Sequence, residues 1–443
     1  MCDCLLATPA VSARGALLFA KNSDRQRNEA QVLEYRAGAR FPEQDTLRCT
    51  YITIPQVAVT HAVLLSRPFW MWGAEMGSNE CGVVIGNEGL HAKSHSPQES
   101  ALTGMDLVRL GLERACTAAA AVAVITELLE RFGQGGNGGH VEPAYYNNGF
   151  LIADAREAYV LETVEREWVL ERVRETRSMS NIYSIGREAH SVSPGFARML
   201  AERGWSTSDE PDYARAITNP DREHIGHAGA RRSRSAEHLR RLSAGIEPAD
   251  LMAILRDHGF EAEASSCWHP EQATSNTLCM HAGTQERPGQ TVASWVSEVD
   301  LNGAIHWVTA TAAPCLSIFK PVLWNADFPL EEPTPTDYAD MHTLWWQHER
   351  LHRAALQADF GALIKDIRAE RQALETEFRK RILGVIKSTD RAARSSVVRD
   401  CWQQARETEE RWRKHLVGRT SANRLYQQTW NSMSEQAGLH VAF

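Results

Sequence analysis

Short apolar runs and stretches with helical periodicity alternate along this 443-residue chain, and their order constrains the fold more than any single motif does. The first two runs, residues 2–8 and 16–21, are apolar enough to form buried strands. Pro9, Ser12 and Gly15 lie between them, and residues of these types favour turns. We therefore predict that the chain begins with a β-hairpin.

The same alternation continues through the next three hundred or so residues. Apolar patterns predict further strands at residues 60–65, 82–87, 149–154, 158–164, 168–173, 179–185, 277–281, 291–299 and 304–311. Helical periodicity predicts helices at residues 103–112, 117–132, 194–203, 235–242 and 248–258. This order of strands and helices indicates an α+β fold with layered elements and largely antiparallel strands.

The chain changes character after the proline-rich residues 328–336. Residues 337–443 are charged, poor in glycine and spaced for helices. We predict two domains, a main domain at residues 1–327 and a helical appendage at residues 337–443. The appendage would pack on the main domain or on a sister subunit in a homo-oligomer, and a lid over the substrate is the alternative.

Overall charge and hydropathy exclude several classes of protein. The net charge is −8, whereas general nucleic-acid binders are basic, so no nucleic-acid partner is expected. Apolar runs of about 18 residues are missing, and the N-terminus lacks the pattern of a signal peptide, so no membrane partner is expected either. Nine irregularly spaced cysteines without a secretory signal predict reduced thiols and a cytoplasmic protein.

Cys2 carries the most specific chemical expectation. Aminopeptidases remove Met1 when the second residue is small, which would leave Cys2 with a free α-amine beside its thiol. The reference pKa of an α-amine is about 7.7–8.0, so a useful fraction is unprotonated at neutral pH. One residue would then supply both a nucleophile and its general base. A cysteine without function at a frayed terminus is the alternative.

Lys21 and Asp24 belong to the segment AKNSDR at the end of the second predicted strand. A hairpin would return both side chains to the N-terminus, where Lys21 would stabilise the thiolate and Asp24 would accept a hydrogen bond from the α-amine. An exposed charged turn is the alternative. Asn79 and Asn87 flank a later apolar strand, and we expect Asn87 to donate to an oxyanion and Asn79 to form a turn.

Several segments resemble the secernins, which are grouped with bacterial dipeptidases among the cysteine N-terminal-nucleophile hydrolases. These segments are MCDCLLATP, FAKNSDR, CTYITIPQ, THAVLLSRPFWMWGAEMGSNECGVVIGNE and LTGMDLVRLGLERA. The resemblance extends from the start of the chain to IFKPVLW at residues 318–324 and, more distantly, to bile-salt hydrolases and penicillin V acylases. It implies a four-layer αββα sandwich of the N-terminal-nucleophile hydrolase type, followed by the helical appendage.

The same resemblance implies a set of catalytic residues at Cys2, Lys21, Asp24, Asn87, Asn181 and Arg234. Lys21 takes the place at which the acylases carry arginine. Asn87 and Asn181 correspond to asparagines that stabilise an oxyanion. Arg234 corresponds to the distal arginine of the acylases, and Arg232 matches that position nearly as well.

Pairs of cysteine and histidine raise the alternative of a structural zinc site. Cys267 and His269, together with Cys279 and His281, offer four ligands in total. Residues i and i+2 of a strand share one face, however, so Cys279 and His281 also fit the wall of a core or a pocket. We therefore predict no metal and no organic cofactor.

These residues together predict a cysteine N-terminal-nucleophile amidohydrolase. It would cleave small amide or dipeptide-like substrates through an acyl-thioester on Cys2. Two alternatives remain open: a non-hydrolytic secernin-like interaction protein that uses the helical tail, and an acylase that acts on another N-acyl compound.

Overall fold

The computed structural model describes residues 1–94, 96–208, 210–223, 227–259, 262, 268–283, 289–330, 333–416 and 423–440. The chain forms two compact units, which are described separately. Unit 1 consists of Met1–Lys21, Glu34–Pro248 and Glu298–Gly303. Unit 2 consists of Asn22–Leu33, Ala249–Ser297 and Ala304–Phe443.

Strands and helices of the described residues are numbered in chain order. The strands are β1 (Cys2–Ala7), β2 (Leu17–Gln26), β3 (Gln31–Arg36), β4 (Thr46–Arg48), β5 (Thr53–Pro55), β6 (Val63–Pro68), β7 (Met76–Asn79), β8 (Val84–Leu90), β9 (Asn147–Ala153), β10 (Ala158–Val164), β11 (Glu167–Arg172), β12 (Thr176–Met179), β13 (Ser191–Val192), β14 (Gly289–Asp300), β15 (Gly303–Val308) and β16 (Lys320–Leu323). The helices are α1 (Gly104–Arg114), α2 (Ala118–Phe132), α3 (Phe196–Glu202), α4 (Tyr213–Ile217), α5 (Pro220–Glu223), α6 (Ala228–Leu242), α7 (Pro248–Leu255), α8 (Leu344–Ala355), α9 (Phe360–Val385), α10 (Arg391–Lys414) and α11 (Arg424–Gln436).

An eight-stranded sheet, in the order β13-β11-β10-β9-β8-β7-β6-β3, forms much of unit 1. Neighbouring strands from β13 to β6 pair antiparallel, which confirms the strand direction predicted from the sequence. Helices α1 and α2 pack on this sheet, and Leu107, Ile125 and Phe150 share its core. Thr103 begins α1 as its N-cap, and its hydroxyl accepts a hydrogen bond from the main chain of Asp106 at 3.0 Å.

Strands β12, β1 and β2 are sheet neighbours in that order. β1 pairs antiparallel with β12, with Cys4 opposite Met179, and α6 packs on both strands. β1 also packs against β8 of the larger sheet. A Cβ atom on Gly86 would lie 3.1 Å from Sγ of Cys4 and 2.7 Å from Cδ of Lys21. Because glycine has no side chain, β1 and β2 can approach β8 closely at this position.

β2 is longer than the sequence predicts. β1 and β2 are neighbours, as expected for the hairpin, but β2 continues past Lys21 to Gln26. The polar residues of this extension stay in the strand because buried partners satisfy them. Asn22, for example, donates hydrogen bonds to the main-chain oxygens of Leu255 and Leu278 at 2.9 and 2.8 Å.

In unit 2, the sheet continues from the last residues of β2 through the neighbouring strands β14, β15 and β16, in that order. The C-terminal helices belong to the same unit as these strands. Val292 of β14 shares a core with Trp345 and Trp346 of α8 and with Ala437, and the indole of Trp345 donates to the main-chain oxygen of Val292 at 3.2 Å. The division therefore differs from the predicted break near residues 327–337, because the helical tail buries its apolar side chains on strand residues.

Most of the other predicted elements are confirmed, including α1, α2 and the hairpin of β9 and β10. Two predicted strands are wrong. Residues 180–185 leave the sheet after β12, and residues 277–281 form turns and irregular structure. Both segments carry polar side chains that bond to groups outside a strand ladder, which a local apolar pattern does not reveal.

Cys81 and Cys116 form a disulfide, so the expectation of reduced cysteines is wrong for this pair. The free thiols among the described residues are Cys2, Cys4, Cys49, Cys279, Cys315 and Cys401. None of the described helices combines the length and the apolar character needed to cross a lipid bilayer.

Candidate active site

Cys2 begins β1 in unit 1, and only 5% of its surface is exposed. Its main-chain nitrogen donates a hydrogen bond to Oδ1 of Asn181 at 2.8 Å. Its thiol points to Oε2 of Glu75, 3.6 Å from Sγ. Both atoms that the predicted chemistry requires, the nitrogen and the sulfur of one residue, therefore have fixed polar neighbours.

Asn181 follows β12, the sheet neighbour of β1, and is held on both sides of its amide group. Nδ2 donates to the main-chain oxygen of Gly89 at 2.9 Å. Oδ1 accepts from Nη2 of Arg231 at 2.6 Å in addition to the nitrogen of Cys2. One amide N–H of Asn181 is thus donated to Gly89, and its oxygen positions the nitrogen of Cys2. The oxyanion role that the resemblance implied for Asn181 stays a prediction.

Arg231 is the arginine that the structure brings to Asn181. It forms an ion pair with Asp3, at 3.0 Å between Nε and Oδ2, and both side chains are fully buried. Arg234, the residue that the sequence comparison selected, lies half-buried three residues later on α6, and Arg232 is also half-buried. On α6 the buried residues include Ala228, Arg231, Ser235 and Leu239. That helical spacing was the signal that would have selected Arg231.

Glu75 is a second residue of this cluster, after Arg231, that the sequence reasoning missed. Its Oε2 lies 3.8 Å from Nζ of Lys21, and both side chains are buried. Burial by itself would lower the pKa of Lys21, but attraction to the ionised forms of its neighbours, Cys2 first and then Cys4, Glu75 and Glu88, outweighs burial and raises that pKa. Lys21 is therefore a buried cation at neutral pH, and Glu75 is its ion-pair partner. The sequence feature that could have pointed to Glu75 was the segment WGAEMG around it.

Cys4 and Glu88 form a second titratable pair next to Lys21. Burial raises the pKa of the Cys4 thiol well above its usual value, and the neighbouring Glu88 adds to this rise. Burial also raises the pKa of Glu88 to about 8, although the charge of Lys21 acts in the opposite direction. Cys4 is therefore a thiol and not a thiolate at neutral pH, which leaves Cys2 as the better nucleophile of the two.

Asn87 lies on the opposite face of β8 from this group. Its neighbour Gly86 faces Lys21 and Cys4, whereas a Cβ on Gly104 of α1 would meet the side chain of Asn87. Nδ2 of Asn87 donates to Oδ1 of Asn148 at 2.7 Å. The predicted oxyanion role of Asn87 is not supported, because a one-residue change along a strand reverses the direction of the side chain.

Asn79 and Asp24 complete the account of the predicted residues. Oδ1 of Asn79 accepts from the main chain of Cys81 and Val83, so its expected role in a turn is confirmed. Asp24 lies in unit 2, where the hydroxyl of Thr291 donates to its Oδ1 at 2.6 Å. The hydrogen bond expected between Asp24 and the α-amine of Cys2 stays a prediction.

No protein-family model matches the chain. Among solved structures, a C2A mutant of conjugated bile acid hydrolase from Clostridium perfringens is 12% identical, with 73% of this chain and 93% of that chain covered and a TM-score of 0.42. Penicillin V acylase from Agrobacterium tumefaciens is 13% identical, with 73% and 86% covered and a TM-score of 0.40. An N-acylethanolamine-hydrolyzing acid amidase ortholog of Caenorhabditis elegans is 8% identical, with 66% and 91% covered and a TM-score of 0.33. Similarity at this level establishes no shared activity, so the functional argument depends on the chemistry of the site.

Proposed function

We propose that this protein is a cysteine N-terminal-nucleophile amidohydrolase that acts on small amide or dipeptide-like substrates. The observation that carries the proposal is the anchoring of both reactive atoms of Cys2. The nitrogen is held by Asn181 at 2.8 Å, and the sulfur lies beside the buried pair of Glu75 and Lys21. Cleavage of the bond between Met1 and Cys2 would convert this nitrogen into an α-amine at a position already fixed by Asn181.

The proposed reaction proceeds by acyl transfer. The α-amine takes the proton from the thiol, and the sulfur attacks the carbonyl carbon of the amide. The tetrahedral intermediate collapses as the C–N bond breaks, and the amine of Cys2 gives its proton to the leaving nitrogen. Water, deprotonated by the same amine, then attacks the thioester, the C–S bond breaks, and the thiol is restored. No metal or organic cofactor takes part in these steps.

Four neighbours of Cys2 receive roles from their contacts. Lys21 favours the thiolate because it is a buried cation close to the sulfur. Glu75 holds Lys21 and is a second acceptor for the thiol proton. Asn181 orients the amine, and Arg231 fixes Asn181 through its hydrogen bond at 2.6 Å.

The proposal includes the αββα arrangement and the kinship with secernins and dipeptidases. Contacts within unit 1 support the arrangement, since α1 and α2 pack on the eight-stranded sheet, β1 packs on β8 of that sheet, and α6 packs on β1. A homo-oligomer through the helical tail belongs to the same proposal, as does a cytoplasmic location. An acylase specificity would use the same residues, and substrate profiling separates it from dipeptide cleavage.

A non-hydrolytic interaction protein is the second candidate, and one observation favours it. Cys2 is buried while Met1 is attached, and the nitrogen of Cys2 is then an amide that cannot accept a proton. A chain that retains Met1 would keep the fold without the chemistry. The state of the N-terminus therefore distinguishes the two candidates.

The decisive experiment combines intact mass, peptide mapping and thiol alkylation of the purified protein. We expect Met1 to be absent and Cys2 to be alkylated faster than the other free cysteines. Cys2→Ala, which keeps a small second residue, should abolish turnover of a dipeptide panel while the fold persists. Cys49→Ala, at a buried free cysteine of the unit 1 core, is the matched control and should retain turnover. A retained Met1, or full turnover by Cys2→Ala, would refute the hydrolase proposal.

A further inference from the structure

Four side chains of types that bind metal ions converge in unit 2. They are His258, Cys279, His281 and Cys315. Cys279, His281 and Cys315 have at most 1% of their surface exposed, and His258 is half-buried. Each offers one donor atom, and the four donor atoms all lie within 4.8 Å of one another.

Three distances between donor atoms match edges of a zinc coordination tetrahedron. Nε2 of His258 lies 3.1 Å from Nε2 of His281, and the sulfurs of Cys279 and Cys315 each lie 3.5 Å from that same nitrogen of His281. A tetrahedral ion with Zn–N of about 2.0–2.1 Å and Zn–S of about 2.3 Å has N–N edges of about 3.3 Å and N–S edges of about 3.5 Å.

Hydrogen bonding alone explains this convergence poorly. An N–H···N bond between the imidazoles of His258 and His281 would account for one of the short distances. The two thiols approach the same nitrogen of His281, however, and one imidazole nitrogen cannot serve an imidazole and two thiols as a single donor or acceptor. A single cation that replaces the protons of the two thiols would bind all four groups at once.

The surroundings are typical of a structural site. The imidazole of His258 stacks on Trp268 with ring centroids 4.4 Å apart, and the ring of Phe360 lies edge-on to His281 at 5.3 Å. Three of the four donors are almost completely buried, and burying polar groups among such rings would be costly without a common partner. Two cysteine sulfurs and two imidazole nitrogens in tetrahedral array are the donor set of structural zinc.

The chain presents these ligands from three separate segments. His258 follows α7, and Cys279 and His281 precede β14. Cys315 lies in the turn before β16. Met280, between two of the ligands, is anchored to β14, since the main-chain nitrogen of Thr291 donates to its oxygen at 2.9 Å. A bound ion would therefore tie the end of α7 to the segments that precede β14 and β16.

We propose that His258, Cys279, His281 and Cys315 bind one zinc ion in a closed structural site. Four protein ligands leave no open position, so the ion stabilises unit 2 and does not take part in catalysis. The site differs from the pairing that the sequence suggested. Cys267 lies outside the described residues, and Nδ1 of His269 accepts a hydrogen bond from the main chain of Glu271 at 3.1 Å.

The first test is the metal content of the full-length protein after reconstitution with zinc chloride and removal of excess ion. We expect one zinc per chain, and a loss of that zinc in Cys315→Ser. Cys401→Ser is the matched control, because Cys401 is also a buried free cysteine of unit 2. It should retain the ion. Zinc that persists in Cys315→Ser would place the metal elsewhere and would overturn the proposal.

A second measurement keeps the test decisive if Cys315→Ser does not fold. Cobalt substitution of the unaltered protein should give the absorption of a tetrahedral ion with thiolate charge-transfer bands, and X-ray absorption should show two sulfur and two nitrogen ligands. Chelation should lower the melting temperature of the unaltered protein and of Cys401→Ser alike. Absence of stoichiometric metal, or a disulfide between Cys279 and Cys315 found by peptide mapping, would overturn the assignment.

Discussion

The main-chain nitrogen of Cys2 and the side-chain oxygen of Asn181 are 2.8 Å apart, although 179 positions separate them in the sequence. The contact places an acceptor, and not a donor, against the nitrogen that would become the catalytic amine. A neutral amine can donate one N–H to Asn181 and keep its lone pair for the thiol proton. The arrangement therefore suits a base held in its working orientation.

Asn181→Ala should lower kcat/KM about 100-fold, because a misplaced base loses its alignment with the thiol. The loss should fall on kcat more than on KM, and the pH profile of kcat should shift with it. Asn87→Ala is the control, since Asn87 bonds to Asn148 on the other face of β8. It should lower stability while kcat persists. The opposite pattern in the two variants would restore the oxyanion role of Asn87.

The reactivity of Cys2 should respond in opposite directions to its two charged neighbours. Glu75→Gln removes an anion 3.6 Å from Sγ, so the thiolate becomes more favourable and alkylation at pH 7 should be about ten times faster for each unit that the thiol pKa falls. Lys21→Met removes the cation and should slow alkylation. Lys93→Met, at an exposed lysine, should leave the alkylation rate of Cys2 unchanged. If Glu75→Gln and Lys21→Met changed the alkylation rate in the same direction, the proposed effects of the two charges on Cys2 would be contradicted.

Arg231→Met should lower the free energy of unfolding by about 3–5 kcal/mol, because it removes the positive charge that is paired with the fully buried carboxylate of Asp3. The double variant Asp3→Leu with Arg231→Met should recover part of that loss. Urea denaturation measures the free energy of unfolding of the single and the double variant. Arg241→Met, which breaks an exposed pair with Glu237 on the same helix, should leave the unfolding midpoint unchanged. Equal losses in the single and double variants would show that the ion pair is not the cause.

Glu88 should make the stability of the protein depend on pH. Burial raises its pKa in the folded state to about 8, above that of an unfolded carboxyl group. Its contribution is therefore fully present below the unfolded pKa, near 4.5, and is lost as pH rises through about 8. Glu88→Gln should flatten the decline of unfolding free energy over this range. If the unfolding free energy of Glu88→Gln fell with pH as steeply as that of the unaltered protein between pH 5 and pH 8, Glu88 would be excluded as the source of the pH dependence.

Local sequence patterns predicted the parts of the fold that local physics determines. The hairpin of β1 and β2, the helices α1 and α2, and the choice of Cys2 and Lys21 followed from apolar runs, turn residues and the unusual start of the chain. Asn181 came only from the resemblance to known hydrolases, and its role as an acceptor required the geometry.

Residues joined only by long-range contacts escaped prediction. Glu75 lies 73 positions from Cys2, and Arg231 lies 228 positions from Asp3, so no spacing rule connects them. Asn87 was misassigned for a different reason. The sequence identifies a strand there, but which face of β8 meets the nucleophile depends on the packing of β1 against Gly86, which no single strand specifies.

The ion pair of Asp3 with Arg231 has a consequence for the entropy of catalysis. The first residues of a chain ordinarily fray, and a nucleophile at such an end would have to be ordered each time a substrate arrives. Asp3 fastens the chain one residue after Cys2, in a place where water does not compete for its carboxylate. In the proposed hydrolase, Cys2 would therefore be ordered once, during folding, and not again in each turnover.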